Sequence, residues 1–354
     1  MNASITDFSS LAREIKTWGI ELGFDALGIT DTRLDRHEIH LMNWLAAGYH
    51  GEMHYMSRHG SRRSRPEELA PGTVRIISAR MNYRAPDTTD EREVLGNRNL
   101  AYISRYALGR DYHRVVRRRL QKLADRIAEK TGPFGYRAFT DSAPVLEKAL
   151  AEKAGLGWIG KHTNLISRES GSWFFLGELY TNLPLPVDPP AENHCGICRT
   201  CMDVCPTQAI IAPYQLDARR CISYHTIELK TSIPVKFRKA MGNRIFGCDD
   251  CQLYCPWNRF GEKSPLADFA VRHQLDAPQL VELFSWTRSE FLARTEGSAI
   301  RRVGYTCWLR NLAVALGNSA PTAEVIQALK DRQHHPSELV REHVAWALDQ
   351  HGAR

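Results

Sequence analysis

Residues 195–206 read CGICRTCMDVCP, and residues 247–258 read GCDDCQLYCPWN. The first stretch spaces Cys195, Cys198, Cys201 and Cys205 at gaps of two, two and three residues, and Pro206 closes it. This is the ferredoxin run C-x2-C-x2-C-x3-C-P, in which the cysteine before proline serves the neighbouring [4Fe–4S] cluster. Cys221, Cys248, Cys251 and Cys255 form a second set, and Pro256 follows the last of them. The crossing assigns Cys195, Cys198, Cys201 and Cys255 to one cluster, and Cys205, Cys221, Cys248 and Cys251 to the other. Zinc favours paired C-x2-C knuckles around a single ion, so a triplet with a proline-flanked fourth cysteine fits it poorly. The ninth cysteine, Cys307, lies beside Trp308 in an apolar helical stretch and reads as a buried thiol.

On the N-terminal side, LPLPVDPP (183–190) is a proline-rich connector. Before it, helical patterns over 10–23, 37–56, 111–130 and 144–154 alternate with strand patterns over 24–29, 74–81, 101–107, 136–140 and 173–183. Residues 84–99 are polar and read as loop. In the first helix Leu11, Ile15, Trp18 and Leu22 share a face, with Ser9 or Ser10 as the cap. The alternation predicts an α/β domain over 1–185, in a chain of mixed α+β or α/β class. Residues 186–275 form a ferredoxin-like module for two clusters. Residues 276–354 read as helical. There Ala313-Val314-Ala315-Leu316 recurs as Ala345-Trp346-Ala347-Leu348, the pattern of a short HEAT-like repeat or of an ordinary bundle.

The 354 residues are 43% apolar and 25% charged, with a net charge of +7. That balance suits a water-soluble protein and favours a polyanionic partner. No apolar run approaches the roughly 18 residues of a membrane helix. The N-terminus has no apolar secretory core, so the expected location is the cytoplasm, where thiols stay reduced. A monomer with no membrane contact is expected. Neither G-x-G-x-x-G nor a Walker loop occurs, which leaves nucleotide chemistry without support. Asp111-Tyr112-His113 begins the D-x-H-x-x-G of a histidine-ligated cobalamin, but Val116 stands where glycine belongs. The residues alone thus lead to a cluster-fed reductase with an unspecified electron acceptor.

FTDSAPVLEKALAEKAGLGWIGKHTNLI (139–166), together with SRYALGRDYHRVVRRRL (104–120), the cysteine block, GCDDCQLYCPWN (247–258) and SAIRRVGYTCWLRNLAVALGN (298–318), closely resembles the epoxyqueuosine reductases. The resemblance runs over nearly the whole chain. It implies reduction of the epoxide of epoxyqueuosine, at the wobble position of tRNA, to the alkene of queuosine. It implies a base-off cobalamin in the first domain, two [4Fe–4S] clusters, a separate electron donor and a tRNA substrate. Asp141 then matches the general acid. Its alternative role is to cap a helix starting near Pro144. A partly desolvated site beside a corrin would raise its pKa. Arg63, Lys161, Asn164, Ser223, Asp249 and Gln252 fall in family-like segments and are candidates to contact the corrin. Arg63 and Lys161 could equally be surface charges, and Asp249 and Gln252 could instead hydrogen-bond around a cluster. His162 departs from the asparagine found in many members. Arg301, Arg302 and Arg310 are expected to meet tRNA phosphates, ahead of the helical arginines Arg114, Arg117 and Arg118. A dehalogenase-like reductase and a non-catalytic RNA-binding protein with structural metals are the alternatives.

Overall fold

The computed structural model describes residues 7–353. Helix α1 (Phe8–Glu21) starts at Asp7, whose carboxylate accepts from the backbone N–H groups of Ser9 and Ser10. The aspartate, not either serine, is the cap. Strands β1 (Ala26–Thr30), β2 (Arg75–Asn82), β3 (Tyr136–Phe139) and β4 (Phe174–Thr181) form one sheet in the order β1-β2-β4-β3. Every neighbouring pair is antiparallel, so of the two layouts the α+β one forms. The reason lies between β1 and β2. The helix Asp35–Ala46 makes no crossover onto the sheet; beside its end Trp44 donates from Nε1 to the Leu216 carbonyl, 2.7 Å away in the cysteine-rich module. Hydrophobic period identifies an element but not its direction in a sheet.

Both faces of β2 and β4 are covered, which is why these strands read as almost continuous apolar runs. On one face α1 and helix α2 (Tyr112–Thr131) bring Leu11, Ile15, Val116, Leu120 and Leu123 against Ile77, Ala79, Met81 and Leu179. On the other, helix α3 (Glu147–Lys153) sets Ala149 and Leu150 against Ile76 and Tyr180. The chain after α3 runs so close to β1 that a Cβ on Gly28 would lie 1.9 Å from the Ala154 carbonyl oxygen. Three local expectations shift. Residues 84–99 contain a helix, Glu91–Gly96, capped by Asp90. Only Tyr102–Ile103 of 101–107 is strand, paired in parallel with Arg244–Phe246. The helix expected from Pro144 begins at Glu147.

The C-terminal region holds helices α4 (Tyr305–Asn318), α5 (Ala323–Asp331) and α6 (Glu338–Gln350). The two repeat-bearing helices, α4 and α6, pack face to face: a Cβ on Gly317 would lie 2.6 Å from the Trp346 ring. Their core is shared with the rest of the chain. Ala101, Ile103, Ile245, Phe246, Phe291, Trp308, Leu312 and Val344 belong to one buried cluster, with Cys307 inside it as the expected buried thiol. Residues from before 185, from 186–275 and from beyond 276 therefore bury one another. Among the described residues no helix is long and apolar enough to cross a membrane.

Candidate active site

The cysteine-rich module folds around its sulfurs. Short helices Thr200–Asp203, which carries Cys201, and Asp250–Leu253, which carries Cys251, pack on one another. Cys195, Cys198, Cys201 and Cys255 line a single cavity of about 220 Å³. A lone zinc needs its ligands about 2.3 Å from one point, whereas four thiols spread around this volume enclose a larger guest. Burial, followed by the charges of Cys255, Cys195 and Cys198, pushes the Cys201 thiol up to about 11. The other set stands together in the same way. Cys251 is raised by burial and then by Cys221 and Cys205, and Cys248 by burial, with Cys221 among its further causes. The first four thiols share the cavity, and Cys205, Cys221, Cys248 and Cys251 lie close enough to influence one another.

Lys161 holds the first loop, its Nζ donating to the carbonyls of Gly196 at 2.6 Å and Cys198 at 2.8 Å. His162 lines the same cavity and is 4% exposed. Its Nδ1 accepts from the Asn164 backbone N–H at 3.1 Å, while its buried Nε2 has no partner. Burial holds its pKa down at about 4, so the ring is neutral and its proton sits on Nε2.

A second group of polar side chains gathers where α2, the loop 140–146 and α3 meet. Asp141 adopts a left-handed backbone, φ +44°, which aspartate tolerates better than most residues. It caps no helix: the cap position of α3 is Leu146, with no side-chain hydrogen bond. Its Oδ2 accepts from the Tyr112 hydroxyl and stands 2.9 Å from His113 Nε2. His113 Nδ1 in turn lies 2.6 Å from Asp111 Oδ1. Tyr112 is clamped by stacking on Phe175, with ring centroids 4.0 Å apart.

The Asp141 side chain is 47% exposed and that of His113 only 10%, as suits a wall group backed by a buried one. Enclosure is the largest influence on the Asp141 carboxyl and alone would raise its pKa. Hydrogen bonds from His113 and Tyr112, with the charges of His113 and Arg302, outweigh it, and the net displacement is downward. This corrects the expected upward shift, which considered desolvation without these partners. His113 moves the other way: burial, its largest influence, lowers it, but the hydrogen bonds to Asp111 and Asp141 raise it overall. Glu147, whose carboxylate accepts from the Asp141 N–H at 3.1 Å, is pushed up to about 8 by burial and then by the Asp141 charge.

Near this group Arg63 is buried, donates to the Tyr55 carbonyl at 3.0 Å and leaves Nε unpartnered. Lys148, lowered chiefly by burial, is close enough to Asp141 and Cys251 to feel the charge of each. Arg302 is exposed and its charge reaches Asp111, His113 and Asp141.

The remaining candidates have other work. Asp249 is 2% exposed and accepts from Tyr102 Oη at 2.8 Å, Ser104 Oγ at 2.5 Å and the Arg105 N–H at 2.9 Å. Gln252 donates to the carbonyl and hydroxyl of Ser172. Ser223 hydrogen-bonds Cys221. Asn164 presents its backbone to His162. Arg310 corrects an expectation: it is wholly buried, and its guanidinium donates to the carbonyls of Leu229, Thr231 and His225. It staples α4 to the cysteine-rich module and offers tRNA nothing. Helical spacing could not separate it from Arg301 and Arg302, which are exposed. The sequence reading also passed over Tyr112, His113 and Glu147. The Asp111-Tyr112-His113 triplet was the available signal, set aside because it failed a different motif.

Fold and site define a double-cluster iron–sulfur oxidoreductase with a group of linked acids, Asp111, Asp141 and Glu147, near its cysteine-rich module. Two family models agree with that class: "Epoxyqueuosine reductase QueG, DUF1730" over residues 63–142 and "4Fe-4S double cluster binding domain" over residues 194–258. The first span begins at Arg63 and takes in Asp111, His113 and Asp141. Epoxyqueuosine reductase of Pseudomonas aeruginosa is 60% identical, covering 99% of this chain and 97% of that one. The Escherichia coli enzyme is 55% identical, over 97% and 90% respectively. An epoxyqueuosine reductase solved with an epoxyqueuosine-modified tRNA-Tyr stem loop superposes with a TM-score of 0.89 at 29% identity, over 97% and 90% of the chains. The Bacillus subtilis enzyme, captured with its catalytic aspartate loop swung out of the active site, gives 0.88 at 29% identity over 96% and 90%. The chain belongs to the epoxyqueuosine reductase family.

Proposed function

We propose that this chain reduces the epoxide of epoxyqueuosine in tRNA to the alkene of queuosine, with Asp141 delivering protons to the leaving oxygen. The observation that carries the reading is the placement of Asp141. Its half-exposed carboxylate is held by Tyr112 and buried His113 and feels the charge of exposed Arg302.

The cavity suits the implied cofactors. Cys195, Cys198, Cys201 and Cys255 would hold one [4Fe–4S] cluster, and Cys205, Cys221, Cys248 and Cys251 the other. Arg63 fits the amide- and phosphate-bearing rim of cobalamin, because its buried Nε lacks a partner. When bound, cobalamin supplies a strongly reducing cobalt centre. The protein's own residues do the rest. Tyr112 and His113 orient the Asp141 carboxylate, and Arg302 with Arg301 offers positive charge to backbone phosphates at the mouth. A wobble base enters such a cavity only by leaving its stack. The C-terminal helices form a HEAT-like pair that supports this rim. The chain acts as a monomer in the cytoplasm, whose reducing conditions suit eight thiolate ligands, and a separate electron donor feeds it.

Anaerobically reconstituted protein, given reductant and epoxyqueuosine-tRNA, should yield queuosine-tRNA. A fully loaded protein that binds this tRNA and returns it unchanged would refute the reading.

A further inference from the structure

We propose that Asp141 draws its proton from His113, and that Asp111 holds the His113 ring in the orientation for that delivery. The inference rests on the reading of Asp141 as the group that protonates the epoxide oxygen. Asp111, His113 and Asp141 form an unbroken line, 2.6 Å from Asp111 Oδ1 to Nδ1 and 2.9 Å from Nε2 to Asp141 Oδ2. Asp111 also accepts the His113 backbone N–H at 3.1 Å, so one carboxylate fixes both the start of α2 and the ring. The ring stacks on Tyr112, centroids 4.0 Å apart. Its two nitrogens each face a carboxylate, an arrangement that leaves no acceptor role for either.

The stoichiometry demands a supply of this kind. Turning an epoxide into an alkene breaks both C–O bonds, forms the second C–C bond, takes up two electrons and two protons, and releases water. The electrons come from the reductant feeding the clusters. An ionised Asp141 cannot donate, and its own displacement is downward. A proton passing from His113 Nε2 to Asp141 Oδ2, and from there to the epoxide oxygen, leaves neutral His113 to be reprotonated from water at the cavity. A second passage completes the water molecule.

The charged and titratable groups facing His113 come from every side. They are Asp111 and Tyr112 on its own helix, Asp141 on the loop, Glu147 on α3, and Arg302 from the segment 299–303. The Asp111 and Asp141 carboxylates favour the imidazolium and Arg302 opposes it, while Glu147, pushed up to about 8, stays protonated beside them. Together with burial their net effect raises the ring above its ordinary 6.5. The histidine thus carries its proton where Asp141 alone would not.

The test is single-turnover reduction of epoxyqueuosine-tRNA by loaded, prereduced holoenzyme across pH, for the parent, Asp111→Asn, His113→Gln and Asp141→Asn. Cluster and corrin absorbance and tRNA affinity are measured for each. The parent should show an alkaline limb above 6.5. Asn at 111 can still cap α2 but no longer charges the ring. Asp111→Asn should therefore move the limb to lower pH, with rates about tenfold down at alkaline pH and near parental at acid pH. His113→Gln should lose the limb and about 100-fold in rate, with tRNA affinity unchanged. An Asp111→Asn enzyme that keeps its absorbance and the parental limb would overturn the proposal, even if His113→Gln failed to fold. Full activity in Asp141→Asn would instead overturn the reading of Asp141 itself. A dead Asp141→Asn beside an unmoved Asp111→Asn limb would sink the relay alone.

Discussion

The Lys161 ammonium is bound 2.8 Å from the Cys198 carbonyl and 2.6 Å from that of Gly196, so a lysine on the catalytic side pins the loop that presents Cys195 and Cys198. Lys161→Met should release that loop and leave the second set of thiols untouched. We expect reconstituted protein to fall from about eight iron atoms per chain toward about four, with the remaining cluster reducible. Retention of all the iron through repeated chelator washes would show the staple to be dispensable. Cys201→Ser and Cys255→Ser should damage this same cluster, and Cys205→Ser the other.

His162 offers an unpaired Nε2–H to the cavity of the first set. Hydrogen bonds to cluster sulfur stabilise the reduced, more negative state. At about 0.5–1.5 kcal/mol for such a bond and 59 mV per tenfold change for one electron, its loss is worth about 20–65 mV. His162→Ala should lower the midpoint potential of the first cluster by that amount in an EPR-monitored titration, with the second unmoved. Equal potentials in variant and parent would refute the bond.

Asp141→Asn should fold, retain its cofactors and bind tRNA, yet lose on the order of 100-fold in turnover. Because Asp141 caps no helix and adopts φ +44°, Asp141→Ala carries a backbone penalty instead, about 1 kcal/mol for a left-handed alanine. Thermal melts of the two variants separate these effects: Asn should melt near the parent and Ala a few degrees lower.

The tie between His113 and its carboxylates also makes stability depend on pH. The folded His113 pKa is raised above 6.5, so its contribution is complete below 6.5 and is lost as pH rises through the folded value. Asp141 is depressed below 3.8, so its contribution is present above 3.8 and is lost in acid as pH falls through the folded value. Melting curves of parent and His113→Gln should therefore differ most between about pH 4 and 6.5 and converge in alkali. A gap that is constant across pH would point to packing alone.

Arg302→Glu should weaken tRNA binding and reduce the slope of log affinity against log salt by about one unit, without altering cofactor content. Arg310→Met should do something different. It strips donors from the carbonyls of Leu229, Thr231 and His225, and the two buried ones, Leu229 and His225, cost about 1–3 kcal/mol each when left unpaired, so it should destabilise the whole protein. A stable Arg310→Met with weakened tRNA binding would reverse the assignment.

Cysteine spacing by itself was enough to read a double-cluster module, because the tight C-x2-C gaps that a cubane needs are local in sequence. The long strands and helices were also legible, since their periods are local: 74–81 and 111–130 match β2 and α2 closely. Tertiary structure decided what depends on distant partners. Strand direction needed the course of the chain between β1 and β2. Arg302 and Arg310 look alike in sequence, yet one meets solvent and the other carbonyls contributed by residues 225–231. Asp141 was legible as the candidate acid through resemblance, but the direction of its pKa was not. That direction is set by His113 and Tyr112, which lie in a different segment and reach the carboxylate only when α2 packs beside the loop. Electrostatics falls off with distance in space, which sequence separation does not report.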